Sequence, residues 1–210
     1  MAEVVDGELV FLENGRTRNQ VADLLIHWAA EGARLVVGID FAFSFPAWFL
    51  HDRGLHSVYE LWAMAATNGE EWLQRCPPPF WGRRGKPKPD FGALDQFRRT
   101  DRQVPTTGGI RPKSVFQIGG AGSVGTASIR GMNVLLALRS AGFAVWPFDP
   151  PSGPTVIEIY PRVLTGPVRK SSAEERQTYL AGGGLRGSEA IRRSASSNED
   201  PFDAAVPERC

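Results

Sequence analysis

Apolar and polar residues alternate at the start of the chain, where "AEVV" and "ELVFLE" flank Asp6-Gly7. Period-two alternation on either side of Asp-Gly predicts a β-hairpin. From Thr17 the period changes. Thr17-Arg18-Asn19-Gln20 has capping-box form, and Val21, Leu24, Leu25, Trp28 and Ala29 then recur at helical spacing until Gly32, which predicts an amphipathic helix. "RLVVGID" follows as a short apolar run without alternation and ends in Asp40, the pattern of a strand covered on both faces. Two strands, a helix and a buried strand predict an α/β fold.

Residues 41–113 break this rhythm. "FAFSFPAWF" is aromatic, Val58 to Leu73 has helical spacing, and "CPPPFWGRRGKPKPDFG" is too rich in Pro and Gly for regular elements. We read 41–113 as an insertion or lid within a single domain spanning 1–210. Beyond it the pattern predicts a strand at "SVFQI", a helix from Ser128 to Ser140, and strands at "FAVWPFD" and "TVIEIYP". A helix from Ala173 to Leu180 and a Gly/Ser-rich connection come next, and "SSNEDPFDAAV" opens a last helix that Pro207 interrupts.

Composition narrows the picture. With 42% apolar residues among 210, the chain can bury a core. No run of about 18 apolar residues offers a membrane span, and the N-terminus lacks the order of a signal peptide, so the expected location is the cytoplasm. Cys76, Cys210 and three histidines give neither a disulfide framework nor zinc-ligand spacing, so any metal would be held by oxygen. The net charge is +1, yet Arg75 to Arg102 carries eight Lys/Arg against three Asp. That block, interleaved with Phe80, Trp81, Phe91 and Phe97, suits a phosphate backbone with stacking support. It suits a solvated face equally well.

Three further features bear on chemistry. "SVFQIGGAGSVG" followed by a helix, a strand and Asp149 has the order of a dinucleotide-binding fingerprint at Gly120 to Gly125. However, only one strand follows Asp149, and the Pro150-Pro151 after it marks a turn residue, so we expect no nicotinamide cofactor. Among the carboxylates, Asp40 ends a strand at a sheet edge, where ligands gather. Glu158, inside "VIEIYP", must be answered by a cation or by an arginine such as Arg162 or Arg176, unless it is simply exposed at a sheet edge. Asp200-Pro201-Phe202-Asp203 reads as a helix start with Asp200 at the N-cap, and positions i and i+3 let both carboxylates face one metal pair.

Taken together, "VVGIDFAFSFP", "SVFQIGGAGSVGTASIRGM", "VIEIYPRVLTG" with Lys170 and Arg176 after it, and "DPFDAAV" resemble the predicted RNase H-like nuclease family known as domain of unknown function four-twenty-nine. The resemblance implies a mixed five-stranded sheet with flanking helices and a site of Asp40, Asp203, Asp200 and Glu158 holding Mg²⁺ or Mn²⁺. It also implies that the glycine stretch belongs to the family architecture and binds no cofactor. RNase H-like enzymes carry a key Asp on a first strand ahead of the hairpin, and no residues here match that strand. We therefore expect either an incomplete reading frame or a variant without catalysis. The resulting expectation is a metal-dependent nuclease, with Arg83, Arg84, Lys86, Arg98 and Arg99 on nucleic-acid phosphates. The rival readings are a noncatalytic nucleic-acid-binding module and a nucleotide-binding enzyme using the glycine loop.

Overall fold

A computed structural model describes residues 1–104, 111–182 and 186–206. The fold is mixed α/β, and its strands form a two-stranded antiparallel sheet and a three-stranded parallel sheet. Contacts group the described residues into two compact units. The smaller holds Met1–Thr17 and the described residues from Ile159 on; the larger holds Arg18–Val104 and Arg111–Glu158.

The smaller unit opens with the predicted hairpin, β1 (Ala2–Val5) and β2 (Glu8–Leu12). Asp6 and Gly7 both take positive φ, 51° and 75°, as a two-residue turn matching strand twist requires. Further along the chain this unit holds α6 (Arg162–Thr165), α7 (Ala173–Ala181), α8 (Glu189–Ser197) and α9 (Glu199–Ala205). Leu9 is buried with Leu180, Ala195, Phe202, Ala205 and Val206. The stretch read as a Gly/Ser-rich connection contains α8, whose first turn is capped by Ser188 Oγ accepting from Ile191 N at 3.2 Å. Asn198 caps α9, accepting from Glu199 N at 2.7 Å, so Asp200 lies inside the helix and is not its N-cap. Pro207 falls outside the described residues.

The larger unit contains α1 (Arg18–Ala30), β3 (Val36–Ile39), α2 (Ala47–His51), α3 (Val58–Arg75), α4 (Arg99–Gln103), α5 (Gly125–Ser140), β4 (Ala144–Val145) and β5 (Thr155–Glu158). The sheet order is β3-β5-β4, all parallel, with Val36 opposite Thr155 and Ile39 opposite Glu158. Val156 on the central β5 and its partner Val145 on β4 are fully buried. β3 is an edge strand, and its residues alternate between exposed and half-buried, with Val36 74% exposed. It is not covered on both faces as its apolar run suggested. An apolar run reports β-propensity as well as burial, and an edge strand needs only the first.

The segment from residue 41 supplies the core of this unit. Phe43, Phe45, Phe49, Trp62 and Phe80 are all at most 2% exposed, and Phe45, Phe49, Phe80 and Phe116 meet at ring-centroid separations of 4.6–5.8 Å. Such stacked, tilted and edge-on arrangements suit the aromatic quadrupole. Helices α3 and α5 approach closely where Gly69 faces Ile129; a Cβ on Gly69 would lie 2.6 Å from Ile129 Cγ2. "SVFQI" is not a strand. Val115 and Phe116 form a turn, and a single bridge pairs Gln117 with Trp81.

Candidate functional site

The parallel register places the end of β3 beside the end of β5. Ile39 pairs with Glu158, and Asp40 is the next residue, so two predicted site carboxylates leave adjacent strands at one sheet edge. Asp40 is exposed. Glu158 is engaged: Phe43 N donates to Oε2 at 2.9 Å, Arg98 Nη1 donates to Oε2 at 2.7 Å, and Arg98 Nη2 to Oε1 at 2.5 Å. The same guanidinium donates to Asp101, from Nη2 at 2.7 Å and from Nε at 3.1 and 3.2 Å. Asp101 also accepts from Arg98 N at 2.9 Å, which closes the first turn of α4. Burial alone would lower the Arg98 pKa, but the bonds to Glu158 and Asp101 outweigh it and raise the pKa above that of a free arginine.

This triad alters two expectations. An arginine does answer Glu158, but it is Arg98, from the block assigned to phosphate binding. Arg162 donates instead to the carbonyl of Val168, and Arg176 to those of Lys170, Ser196 and Ser197. Arg98, with a side chain only 14% exposed, is a structural ion and not a solvated one.

Asp200 and Asp203 lie in the smaller unit, on α9. Asp203 is paired with the Lys170 ammonium. Burial pushes the Asp203 carboxyl up, Lys170 and Arg162 only partly offset that, and Asp200 adds to the rise. The i, i+3 spacing therefore does bring the two acids within electrostatic reach. Among the described residues, however, no group of three or more His, Cys, Asp or Glu side chains gathers so as to hold a metal ion. With Glu158 bound to Arg98 and Asp203 to Lys170, the carboxylates as arranged do not fit a Mg²⁺ or Mn²⁺ centre.

The glycine stretch lacks the strand that a dinucleotide fingerprint needs before it. Gly120 and Gly122 take φ of 78° and 72° in a turn that runs into α5 at Gly125. Asp149, the candidate ribose ligand, accepts from Val145 N at 3.0 Å, Tyr59 Oη at 2.9 Å and Arg139 Nε at 3.2 Å. Burial would raise its pKa, but these donors together hold the carboxyl below its usual range. It locks the turn after β4.

The basic block divides into two groups. Arg75 pairs with Glu71, Arg98 with Glu158 and Asp101, and Arg102 with Asp95. Arg83, Arg84, Lys86, Lys88 and Arg99 are exposed and make no ion pair among the described residues. Four of these five lie between residues 83 and 88, where Gly82 N donates to Lys86 O and Lys86 N to Arg83 O, both at 2.9 Å. The interleaved aromatics mostly serve the core. Phe80 is buried against Trp72 and Phe116, and Phe91 packs on Trp48 and Phe116. Sequence reasoning missed Asp101, although its i+3 spacing from Arg98 marks an ion pair, and Phe43, whose part is played by backbone and leaves no sequence signal.

Set against family models, curated proteins and solved structures, the chain matches none. The resemblance noted above therefore rests on its motif residues alone. No helix among the described residues is long and apolar enough to cross a membrane.

Proposed function

We propose that this protein binds nucleic acid through backbone phosphates, as a noncatalytic module. The observation that carries this reading is the cluster of exposed cations Arg83, Arg84 and Lys86 on one hydrogen-bonded turn, with Lys88 just after it, none of which makes an ion pair among the described residues. The charge of a paired cation such as Arg75 is partly offset by its neighbour; a cation without such a neighbour can neutralise a phosphate and release the counterions condensed on the nucleic acid. Each phosphate contact contributes about 0.9 to the log-log salt slope on duplex DNA and about 0.7 on single strands. Replacing Arg83, Arg84 and Lys86 by Gln should therefore flatten the slope by about 2 to 3 in total. Fluorescence anisotropy across a salt series checks this, and an unchanged slope in a folded triple variant would assign the turn to plain solvation.

A second reading is favoured by Asp40 standing beside Glu158 at one sheet edge: an RNase H-like metal-dependent nuclease, as the motif resemblance implies. In it Glu158 would have to be released from Arg98, and the fold would be RNase H-like in detail. Manganese titration by calorimetry decides the point. Saturable binding lost in Asp40→Asn sustains the nuclease reading, and the absence of binding to the folded protein eliminates it. Under either reading we place the protein in the cytoplasm.

A further inference from the structure

The glycine-rich stretch takes no part in the function argued so far, yet it lies directly under the basic turn. Trp81 N donates to Phe116 O at 3.0 Å and Ile118 N to Trp81 O at 2.9 Å, which stitches the start of the turn to the start of the glycine loop. One residue further along each segment, the two backbones touch. A Cβ on Gly119 would collide with the Gly82 carbonyl, and a Cβ on Gly82 would collide with the Gly119 carbonyl. Only glycine at both positions permits this approach. Gln117 Nε2 donates to the carbonyls of Gly119 and Ala121 at 3.3 and 3.2 Å, so loop acceptors that would repel a phosphate are engaged.

Across the same loop runs an exposed cation outside the basic block. A Cβ placed on Gly122 would meet Lys113 Cε at 3.5 Å, so the Lys113 stem lies along the loop. Lys113 makes no ion pair among the described residues. The positive end of the 16-residue α5 leaves the loop at Gly125 and adds to the same field.

We propose that the loop Gly119–Gly122 is the seat of the basic turn, and that Lys113 extends the turn's cations across it into one phosphate-binding surface for nucleic acid. The proposal rests on the nucleic-acid reading given above and adds to it a fixed geometry and a residue. The loop supplies position and Lys113 supplies charge. Anionic lipid headgroups present the same phosphate chemistry on a different macromolecule, and the experiment separates the two.

The test uses the full chain, a labelled 20-nucleotide single strand and phosphatidylserine vesicles. Lys113→Gln should weaken oligonucleotide binding and flatten the salt slope by about 0.7, one single-strand phosphate. Gly119→Ala adds no charge and meets no φ barrier, so it tests the seat alone. It should displace the turn and weaken binding about tenfold while circular dichroism stays native. A folded Gly119→Ala protein with wild-type affinity, or Lys113→Gln with a wild-type slope, overturns the proposal. So does binding to the vesicles with none to the oligonucleotide. If Gly119→Ala does not fold, Lys113→Gln decides alone. Wild-type binding by the triple Arg83, Arg84, Lys86→Gln variant would instead remove the underlying nucleic-acid reading, so the two failures are told apart.

Discussion

Replacing Arg98 by Met should lower the stability of the protein by about 3 to 5 kcal/mol, the usual cost of removing one partner from a buried ion pair. The loss arises less from the attraction removed than from the charges left behind. Asp101 has a side chain 6% exposed and Glu158 one 30% exposed, and neither carboxylate can regain full hydration without moving α4 or the end of β5. Desolvated anions without a partner are the expensive state; a matched apolar replacement of all members often is not. Combining Arg98→Met with Asp101→Asn and Glu158→Gln removes the stranded charges while leaving an amide oxygen for the N–H groups of Arg98 and Phe43, and should recover part of the stability. Urea unfolding checks both statements, and an Arg98→Met loss below about 1 kcal/mol, typical of a surface pair, would return Arg98 to the solvated block. A folded Arg98 variant should also leave the salt slope of nucleic-acid binding unaltered, which separates a structural arginine from a phosphate contact.

Arg98 shows where the sequence stops being informative. Its charge and neighbours read as one of a run of eight cations, and only Asp101, three residues on, hints at a local partner. Glu158 is 60 residues away, and nothing in the chain's local pattern states that β5 ends where α4 begins. Conversely, the need of Glu158 for a counter-ion was legible from an acid placed within an apolar strand; the identity of that counter-ion was not. Features fixed by local chemistry came through. Asp6-Gly7 marked the hairpin because its turn needs two positive φ values, and α3, α5 and α7 followed from helical spacing. Features that burial decides did not. "SVFQI" is apolar because Val115, Phe116 and Ile118 fill the core from a turn, and a core turn and a core strand look alike in composition. Helix α8 was overlooked because its sequence, "EAIRRSASS", offers few apolar residues, of which only Ala195 is buried. Its cap, Ser188, was the available signal.

The aromatic segment after β3 carries the other large effect expected. Trp62 is fully buried, packs edge-on against Tyr59 and Phe148 at 5.5 and 5.8 Å, and donates its Nε1 proton to Phe43 O at 2.7 Å. Trp62→Ala should cost about 3 to 5 kcal/mol for the lost burial and the cavity, and the buried Phe43 carbonyl loses its donor as well, a loss of about 1 to 3 kcal/mol in its own right. Trp62→Phe refills most of the volume but not the hydrogen bond, so the difference between the two variants isolates packing from the carbonyl. Phe43 also gives its N–H to Glu158, and one residue's backbone thus stands between the aromatic core and the Arg98 triad. If that backbone transmits strain, Trp62→Phe and Arg98→Met should not add: a coupling of about 0.5 kcal/mol or more in a double-mutant cycle is expected for residues that share a partner. Strict additivity would mean that Phe43 is held by its own buried ring and that the core and the sheet edge are energetically separate. A loss from Trp62→Ala below about 1 kcal/mol would be a larger failure, since an insertion or lid, unlike a core, can lose its largest side chain at little cost.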